Sequence, residues 1–275
     1  MKKRWLITGG SRGLGLALAE AVLAAGDRAV VTARDPSRLH HLVDRHGSAI
    51  RTARLDVTDS AAAACAVQVA KDAFGGLDVL VNNAGYGDVA SVEDATLDDF
   101  RRQIETNLFG TIIMTKAAIP AMRAQRSGHI IQLSSVGGRI GAPGRAAYSA
   151  AKWGVEGFSE SLALEMALVG VKVTLVEPGG FRTDFAGAST SLKEGRPEYD
   201  QVVGATVRKQ RAYDGNQPGD PARAAQAIIR IASLASPPLR IALGTDAFAA
   251  IDHADRTRLE ERTRWRSLSA STDYR

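Results

Sequence analysis

Apolar runs of strand length alternate with amphipathic runs of helix length from one end of the chain almost to the other. Short Val/Ile/Leu-rich runs bounded by turn residues read as strands covered on both faces, and apolar positions recurring every three or four residues read as helices. The first strand is expected in RWLIT, residues 4–8, and the first helix over 14–25, stopped by Gly26. Further strands are expected at 29–33, 50–55, 79–82, 130–133 and 171–176, with 239–243 as a seventh. Asp35 and Pro36 make a good N-cap and first helical position, and later helices begin near Asp59, Leu97 and Tyr148. This alternation predicts an α/β fold, a doubly wound parallel sheet of about seven strands with helices on both faces. No internal repeat or low-complexity linker divides the chain, so residues 1–275 are expected to form a single domain. One long irregular stretch, rich in Gly, Pro and Arg, runs from Pro178 to Pro221. A loop of that length in a compact domain is usually a binding segment or lid, expected here at about 180–220.

Composition narrows the class. Hydrophobic residues make up 45% of the 275 positions, enough for a full core and incompatible with disorder. The single cysteine, Cys65, stands in an Ala-rich helical pattern and reads as a small buried apolar residue; one cysteine cannot build an internal disulfide. The apolar run of MKKRWLIT stops at Thr8-Gly9, far short of a signal core or membrane span, so a soluble cytoplasmic protein is expected. The formal charge is +5, and the tail from about 252 to 275 is Arg-rich, with six Arg against four acids from His253 onward. That balance reads as a solvated helix face rather than a nucleic-acid surface. His40, His41, His46, His129 and His253 show no metal-ligand spacing, and no metal is expected.

Candidate chemistry begins between the first strand and the first helix, in TGGSRGLG. Gly9, Gly13 and Gly15, with Ser11, Arg12 and Leu14 between them, would let backbone amides and a helix N-terminus approach a pyrophosphate. The strict G-x-G-x-x-G spacing is absent. At the end of the second strand an NAD-binding site would place a carboxylate on the ribose hydroxyls. Here Ala33 stands in that place, followed by Arg34, while Arg12 lies in the glycine turn. Two guanidinium groups suit a 2′-phosphate, which predicts NADP(H) over NAD(H). Asp35 is the competing feature, since a shift of one residue would bring its carboxylate to the ribose; capping before Pro36 is the preferred reading.

A second centre lies in SSVGGRIGAPGRAAYSAAK, residues 134–152. If Tyr148 opens a helix, a spacing of four puts Lys152 on the same face one turn on. An ammonium there would pull the phenol below its ordinary value of about 10 and make Tyr148 a usable acid.

These motifs fall in a familiar order: TGGSRGLG, LDVTD with Asp56, NNAG, Asn107, Ser135, YSAAK and PGGFRT. To about residue 245 the chain resembles the short-chain dehydrogenase/reductase family in its compact branch with a Rossmann-type sheet. The resemblance implies that Asp56 and Val57 flank the adenine, and that Asn83, Ala84 and Gly85 form a cofactor wall. Asn82 and Asn83 have an alternative role in strand-end hydrogen bonding. Pro178, Gly179 and Thr183 are expected on the nicotinamide side. The family's catalytic Ser lies thirteen residues before the Tyr, which selects Ser135 over Ser134. In the implied mechanism Ser135 polarises a carbonyl, Tyr148 donates the proton, and Lys152 lowers the Tyr pKa and holds the nicotinamide ribose. Asn107 supports a water that passes protons to Lys152. A homodimer or homotetramer through helices near 97–123 and 148–168 is implied as well.

NNAGYG, PGGFRTDF and the lid resemble the hydroxysteroid-, retinol- and related carbonyl-reducing members. Ile140, Pro143, Phe181 and Phe185 are candidates for an apolar wall beside the carbonyl, with Tyr199 farther out, although core packing explains the two Phe equally well. An apolar ketone or aldehyde is the expected substrate. The lid also holds Arg182, Lys193, Glu194, Arg196, Glu198 and Asp200, which would demand a polar substrate if they face inward. Two alternatives stand beside an NADP(H)-dependent reductase: an NADP(H)-sensing regulator without turnover, and an NAD-dependent alcohol dehydrogenase. A nucleotide-sugar epimerase shares Tyr-x-x-x-Lys but differs in glycine spacing and needs a larger C-terminal substrate domain.

Overall fold

The computed structural model describes residues 2–185, 187 and 190–274. Its strands are β1 (Arg4–Ile7), β2 (Arg28–Ala33), β3 (Ile50–Arg54), β4 (Val79–Asn82), β5 (Gly128–Leu133), β6 (Val171–Pro178) and β7 (Arg240–Leu243). They form one sheet in the order β3-β2-β1-β4-β5-β6-β7, every neighbouring pair parallel. The helices are α1 (Gly13–Ala24), α2 (His40–His46), α3 (Ser60–Phe74), α4 (Leu97–Ile104), α5 (Gly110–Gln125), α6 (Ala146–Ala167), α7 (Ala205–Tyr213), α8 (Pro221–Ser233), α9 (Thr245–Arg264) and α10 (Arg266–Ala270). The chain walks outward from β1 to β3 and then returns to β4 on the other side of β1. The carboxyl ends of β1 and β4 therefore flank a crevice, the place where open α/β sheets bind ligands.

Alternation along the strands divides the core. Trp5, Ile7, Val31, Val81 and Ile131 face one layer with Leu18, Val22, Ala225 and Ile228 of α1 and α8. Leu6, Val30, Leu80 and Ile130 face the other, with Ala66, Met114, Met122 and Leu162 of α3, α5 and α6. Helices on both faces explain why the strands read as continuous apolar runs. Asp59 caps α3 by accepting from the N–H of Ala61 at 2.8 Å and Ala62 at 3.0 Å. Asp35 caps the turn at Pro36–Leu39 through Ser37 N.

Several expectations need correction. Cys65 is exposed: α3 buries Ala63, Ala66, Val67, Ala70 and Phe74, and Cys65 falls on the opposite side. The stretch from Pro178 to Pro221 is not irregular throughout, because it contains α7 preceded by turns at Pro197–Tyr199 and Asp200–Gly204. Val203 and Val207 seat this segment on Val89, with Leu192 and Tyr199 packed alongside. Its charges turn outward, pairing Lys193 with Asp99, Arg196 with Asp94, Glu194 with Arg211 and Asp200 with Arg208. Among the described residues no helix is long and apolar enough to cross a membrane.

Candidate active site

The glycine turn after β1 is held by the end of β4. The Asn83 amide donates to Thr8 O at 2.8 Å and Gly9 O at 3.1 Å, and the Thr8 hydroxyl accepts from the N–H groups of Asn83 and Ala84 at 3.0 Å each. Gly9 has φ +64°, and a Cβ there would stand 2.9 Å from Ala84 Cα. Such close backbone packing in a left-handed conformation requires glycine. Arg12 precedes α1 without offering a side-chain cap, so the first N–H groups of that helix remain available to an anion. Gly9, Ser11, Arg12, Gly13 and Leu14 line a cleft of about 1060 Å³; Gly15 lies beneath it, buried against Asn83.

Beyond the turn the cleft is lined by Ala33, Arg34, Asp35, Arg38, Asp56 and Val57. The Asp35 carboxylate accepts from Ser37 N at 3.1 Å and Ser37 Oγ at 2.6 Å, bonds that hold it below the usual carboxylate range. Asp56 is likewise held down, by the backbone and hydroxyl of Thr58, with Arg34 adding attraction. Arg38, in the Pro36–Leu39 turn four residues after Arg34, also lines the cleft and escaped sequence reasoning.

At the other end the cleft passes Asn83, Ala84 and Gly85 to reach Ser135, Tyr148, Lys152, Pro178, Gly179 and Thr183. Tyr148 is the third residue of α6, which starts two residues earlier than expected, and both Tyr148 and Lys152 are buried. Lys152 Nζ donates to Leu133 O at 2.7 Å and lies 5.8 Å from the Tyr148 ring centroid. Burial lowers Lys152 to about 8, against attraction from Glu156. The expectation that Lys152 lowers the Tyr148 pKa is not met in this geometry. Burial pushes the phenol up, and the groups that oppose it are the Ser135 hydroxyl and the Arg145 guanidinium.

Asn107 sits in a wide turn, Glu105–Phe109, of π geometry between α4 and α5. Its side chain donates to Tyr86 O and Gln103 O at 2.9 Å each and accepts from Tyr86 N at 3.1 Å. Its amide therefore pins the Gly85–Tyr86 wall. A Cβ on Gly85 would stand 2.5 Å from Asn107 Oδ1 and 3.7 Å from Lys152 Nζ, so Gly85 separates the two side chains.

On the substrate side Ile140, Phe181 and Phe185 line the cleft. The Phe185 ring lies 5.8 Å from that of Tyr148, tilted by 56°. Phe181 also packs on the core beside α1 and α8. Pro143 does not line the wall; it is exposed on the turn before α6, and its exposed neighbour Ala142 borders the cleft instead. Arg145, Lys209, Gln210, Tyr213 and Asp246 also line this end, and sequence reasoning missed all five. Arg145 alone left a signal, as a charge three residues before Tyr148 in a largely apolar run. Among the described residues no three His, Cys, Asp or Glu side chains cluster to hold a metal ion.

The family model for short chain dehydrogenase matches residues 3–194. The chain belongs to the short-chain dehydrogenase family. It is 44% identical over 273 residues to Oxidoreductase BOA17 of Botryotinia fuckeliana, covering 99% of this chain and 100% of that protein. A short-chain dehydrogenase from Streptomyces avermitilis superposes with a TM-score of 0.92 at 39% identity, over 100% of this chain and 99% of the other. A metagenomic short-chain oxidoreductase solved with NADP superposes with a TM-score of 0.69 at 28% identity, over 88% of this chain and 96% of the other. As a member of this family the chain is an oxidoreductase that works on a CH–OH/C=O pair with a nicotinamide cofactor.

The residues present fit such a cofactor. An uncapped helix N-terminus meets a glycine turn that a Cβ would obstruct, and the cleft runs unbroken from the Arg34 rim to Tyr148. Gly9 to Gly13 would hold the pyrophosphate, Asp56 and Val57 the adenine, and Pro178, Gly179 and Thr183 the nicotinamide end.

Proposed function

We propose that this chain is an NADP(H)-dependent carbonyl reductase with Tyr148 as its acid/base. The observation that carries the reading is the convergence of Tyr148, Lys152 and Ser135 at one end of a cleft whose other end is a glycine turn and helix N-terminus. When bound, the nicotinamide supplies the hydride. Ser135 Oγ accepts from Gly137 N at 3.0 Å, and its hydroxyl, which acts on the Tyr148 phenol at rest, turns its proton to the substrate oxygen. Tyr148, held protonated by burial, gives up its phenolic proton to the same oxygen as negative charge develops there. Lys152 holds the nicotinamide ribose, and its ammonium restores the proton balance of the phenol after transfer. Asn107 keeps the Gly85–Tyr86 wall in place opposite Lys152 and supports the water path to it. Oxidation of an alcohol follows the same path in reverse.

NADP(H) preference rests on Arg12 and Arg34 at the ribose end, with Arg38 beside them and the Asp35 carboxylate turned to Ser37. Ile140 and Phe185 favour a substrate with an apolar body. We also infer a single domain, a cytoplasmic setting and a homodimer or homotetramer. Exposed Leu97, Phe109, Trp153, Leu164 and Leu168 on or beside α4 and α6 support the assembly.

Titration with NADPH and NADH, followed by nicotinamide fluorescence, tests the cofactor assignment. NADPH should bind at least about tenfold tighter, roughly 1.4 kcal/mol. Arg34→Ala should weaken NADPH much more than NADH; equal losses would assign the ribose to Asp35 and favour NAD-dependent alcohol oxidation. A panel of ketones and aldehydes with the preferred cofactor then tests turnover against the sensor reading.

A further inference from the structure

We propose that Arg145 is a specificity-determining residue that binds a carboxylate carried by the carbonyl substrate; this rests on the carbonyl-reductase reading above. Arg145 stands one residue before α6 and presents its partly buried guanidinium to the substrate end of the cleft. Nη1 donates to Gly87 O at 2.9 Å and Nη2 to Gln210 Oε1 at 2.7 Å. Both acceptors are neutral, so they fix the planar fork in place without pairing its charge to a carboxylate. The acid that acts on it is Asp88, whose carboxylate already accepts from Ser191 N at 2.8 Å. Among the described residues no carboxylate reaches within the 4.0 Å of an ion pair.

The contrast with the other partly buried arginines is informative. Arg4 pairs with Asp78, Arg139 with Glu177 and Asp255, and Arg240 with Glu156 and Glu160. Those three lie off the cleft, and each has the carboxylate that a desolvated guanidinium needs. Arg12 and Arg145 have none among the described residues, and both line the cleft, Arg12 at its phosphate end and Arg145 at its substrate end. A merely structural tie between Gly87 and Gln210 could be made by a neutral donor without burying charge. A guanidinium fork fits a carboxylate through two parallel hydrogen bonds.

Position sets the geometry of the substrate. The Tyr148 ring turns one edge to Gly137 and Ser135: a Cβ on Gly137 would stand 3.0 Å from Cε1. Its other edge faces Gly87, Phe185 and Arg145: a Cβ on Gly87 would stand 2.9 Å from Cδ2, 3.1 Å from Arg145 Nη1 and 3.2 Å from Phe185 Cζ. A substrate whose carbonyl oxygen sits between Ser135 and Tyr148 sends one substituent past the phenol toward Phe185 and the guanidinium, which lies 5.9 Å from the ring centroid. The Phe185 ring covers an apolar body, and the carboxylate at its far end meets Arg145. Lys209 adds a second cation at the rim. Asp184 and Asp246 also line the cleft, but neither comes within ion-pair distance of Arg145, and Asp246 accepts from Gly180 N at 2.8 Å. The carboxylate takes no part in the chemistry: the carbonyl gains a hydride and the Tyr148 proton as in the parent reaction.

The test compares matched pairs with NADPH: 3- and 4-formylbenzoate and 3- and 4-oxocyclohexanecarboxylate, each against its methyl ester. At least one acid should exceed its ester about tenfold in kcat/KM, mainly through KM. Arg145→Gln should cut that ratio at least tenfold, and Arg145→Lys should retain part of it. In parallel, benzoate should bind the NADPH-loaded protein, read by nicotinamide fluorescence, and bind far more weakly to Arg145→Gln. Melting and NADPH titration establish that each variant is folded; if Arg145→Gln is not, the wild-type ratio and the Lys variant decide. Esters reduced as well as acids across the panel would overturn the anion site and leave the reductase reading standing. A loss in Arg145→Gln that is equal for acid and ester would also overturn it, assigning Arg145 to Tyr148 or the fold. Arg145-dependent benzoate binding with no carbonyl turned over would keep the anion site and remove the reductase.

Discussion

Adding one methyl group at Gly15 tests whether the glycine turn is as tightly built as its geometry implies. A Cβ there would lie 2.3 Å from Asn83 Nδ2 and 2.6 Å from Gly9 O. Neither obstacle yields freely, because the Asn83 amide is bonded to Thr8 O and Gly9 O, and Gly9 is backed by Ala84. Relief means giving up those two bonds, about 1 kcal/mol net each, and accepting overpacking of about 1–3 kcal/mol. Gly15→Ala should therefore cost about 3 kcal/mol or more, a fall in Tm of roughly 6 °C or more. It should also weaken NADPH at least tenfold, since the displaced groups form the cleft floor. Asn83→Ala removes the nearer obstacle and leaves the Gly9 carbonyl. The double variant should be less destabilised than the sum of the singles by about 1 kcal/mol. Gly141→Ala is the control: nothing lies within 4 Å of a Cβ there and its φ is outside the left-handed region, so the change should leave stability unchanged or raise it by up to about 1 kcal/mol. A Gly15→Ala protein that melts within a degree of wild type and binds NADPH normally would refute this account of the turn.

Two predictions concern pH. Thr174 Oγ1 donates to Pro238 O at 2.8 Å, so it accepts from His129 Nε2 at 2.9 Å, and buried Nδ1 has no partner among the described residues. Burial lowers His129 from 6.5 to about 4, so the unfolded chain takes up this proton first; stability is full above pH 6.5 and lost as pH falls through 4. The loss should total about 3 kcal/mol across that window, and denaturant melts at several pH values should find it reduced in His129→Gln. Lys152, at about 8, should give a fall in kcat/KM for carbonyl reduction above about pH 8, because burial has lowered the ammonium and Tyr148 titrates higher. That limb should be absent from the residual activity of Lys152→Arg; its persistence there would assign it to another group.

The strands were legible because burial on both faces leaves continuous apolar runs, and β4 lies at 79–82 as expected. Pairing through Pro178 extends β6 two residues beyond its apolar run, since backbone hydrogen bonding does not require an apolar side chain. Helix α7 was hidden because it buries only Val207 and so lacks an apolar face. Cys65 was misread because an Ala-rich helix hides which face is inward. At the site, ordered motifs led to Ser135, Tyr148, Lys152 and the glycine turn, which lie at the ends of the same cleft. Lys209, Tyr213 and Asp246 were illegible because they reach the cleft only through folding of segments far from Tyr148 in the chain. The upward push on Tyr148 is a consequence of burial, which spacing to Lys152 does not report.

The central claim is that the phenol of Tyr148 transfers the proton, and removing that one oxygen tests it directly. With a carbonyl that the wild type reduces, Tyr148→Phe should lose more than about 10²-fold in kcat. Nicotinamide fluorescence should show NADPH binding nearly unchanged, because the cleft and its glycine turn remain intact. Turnover persisting within a few-fold of wild type would contradict the account and assign the proton to another group lining the cleft.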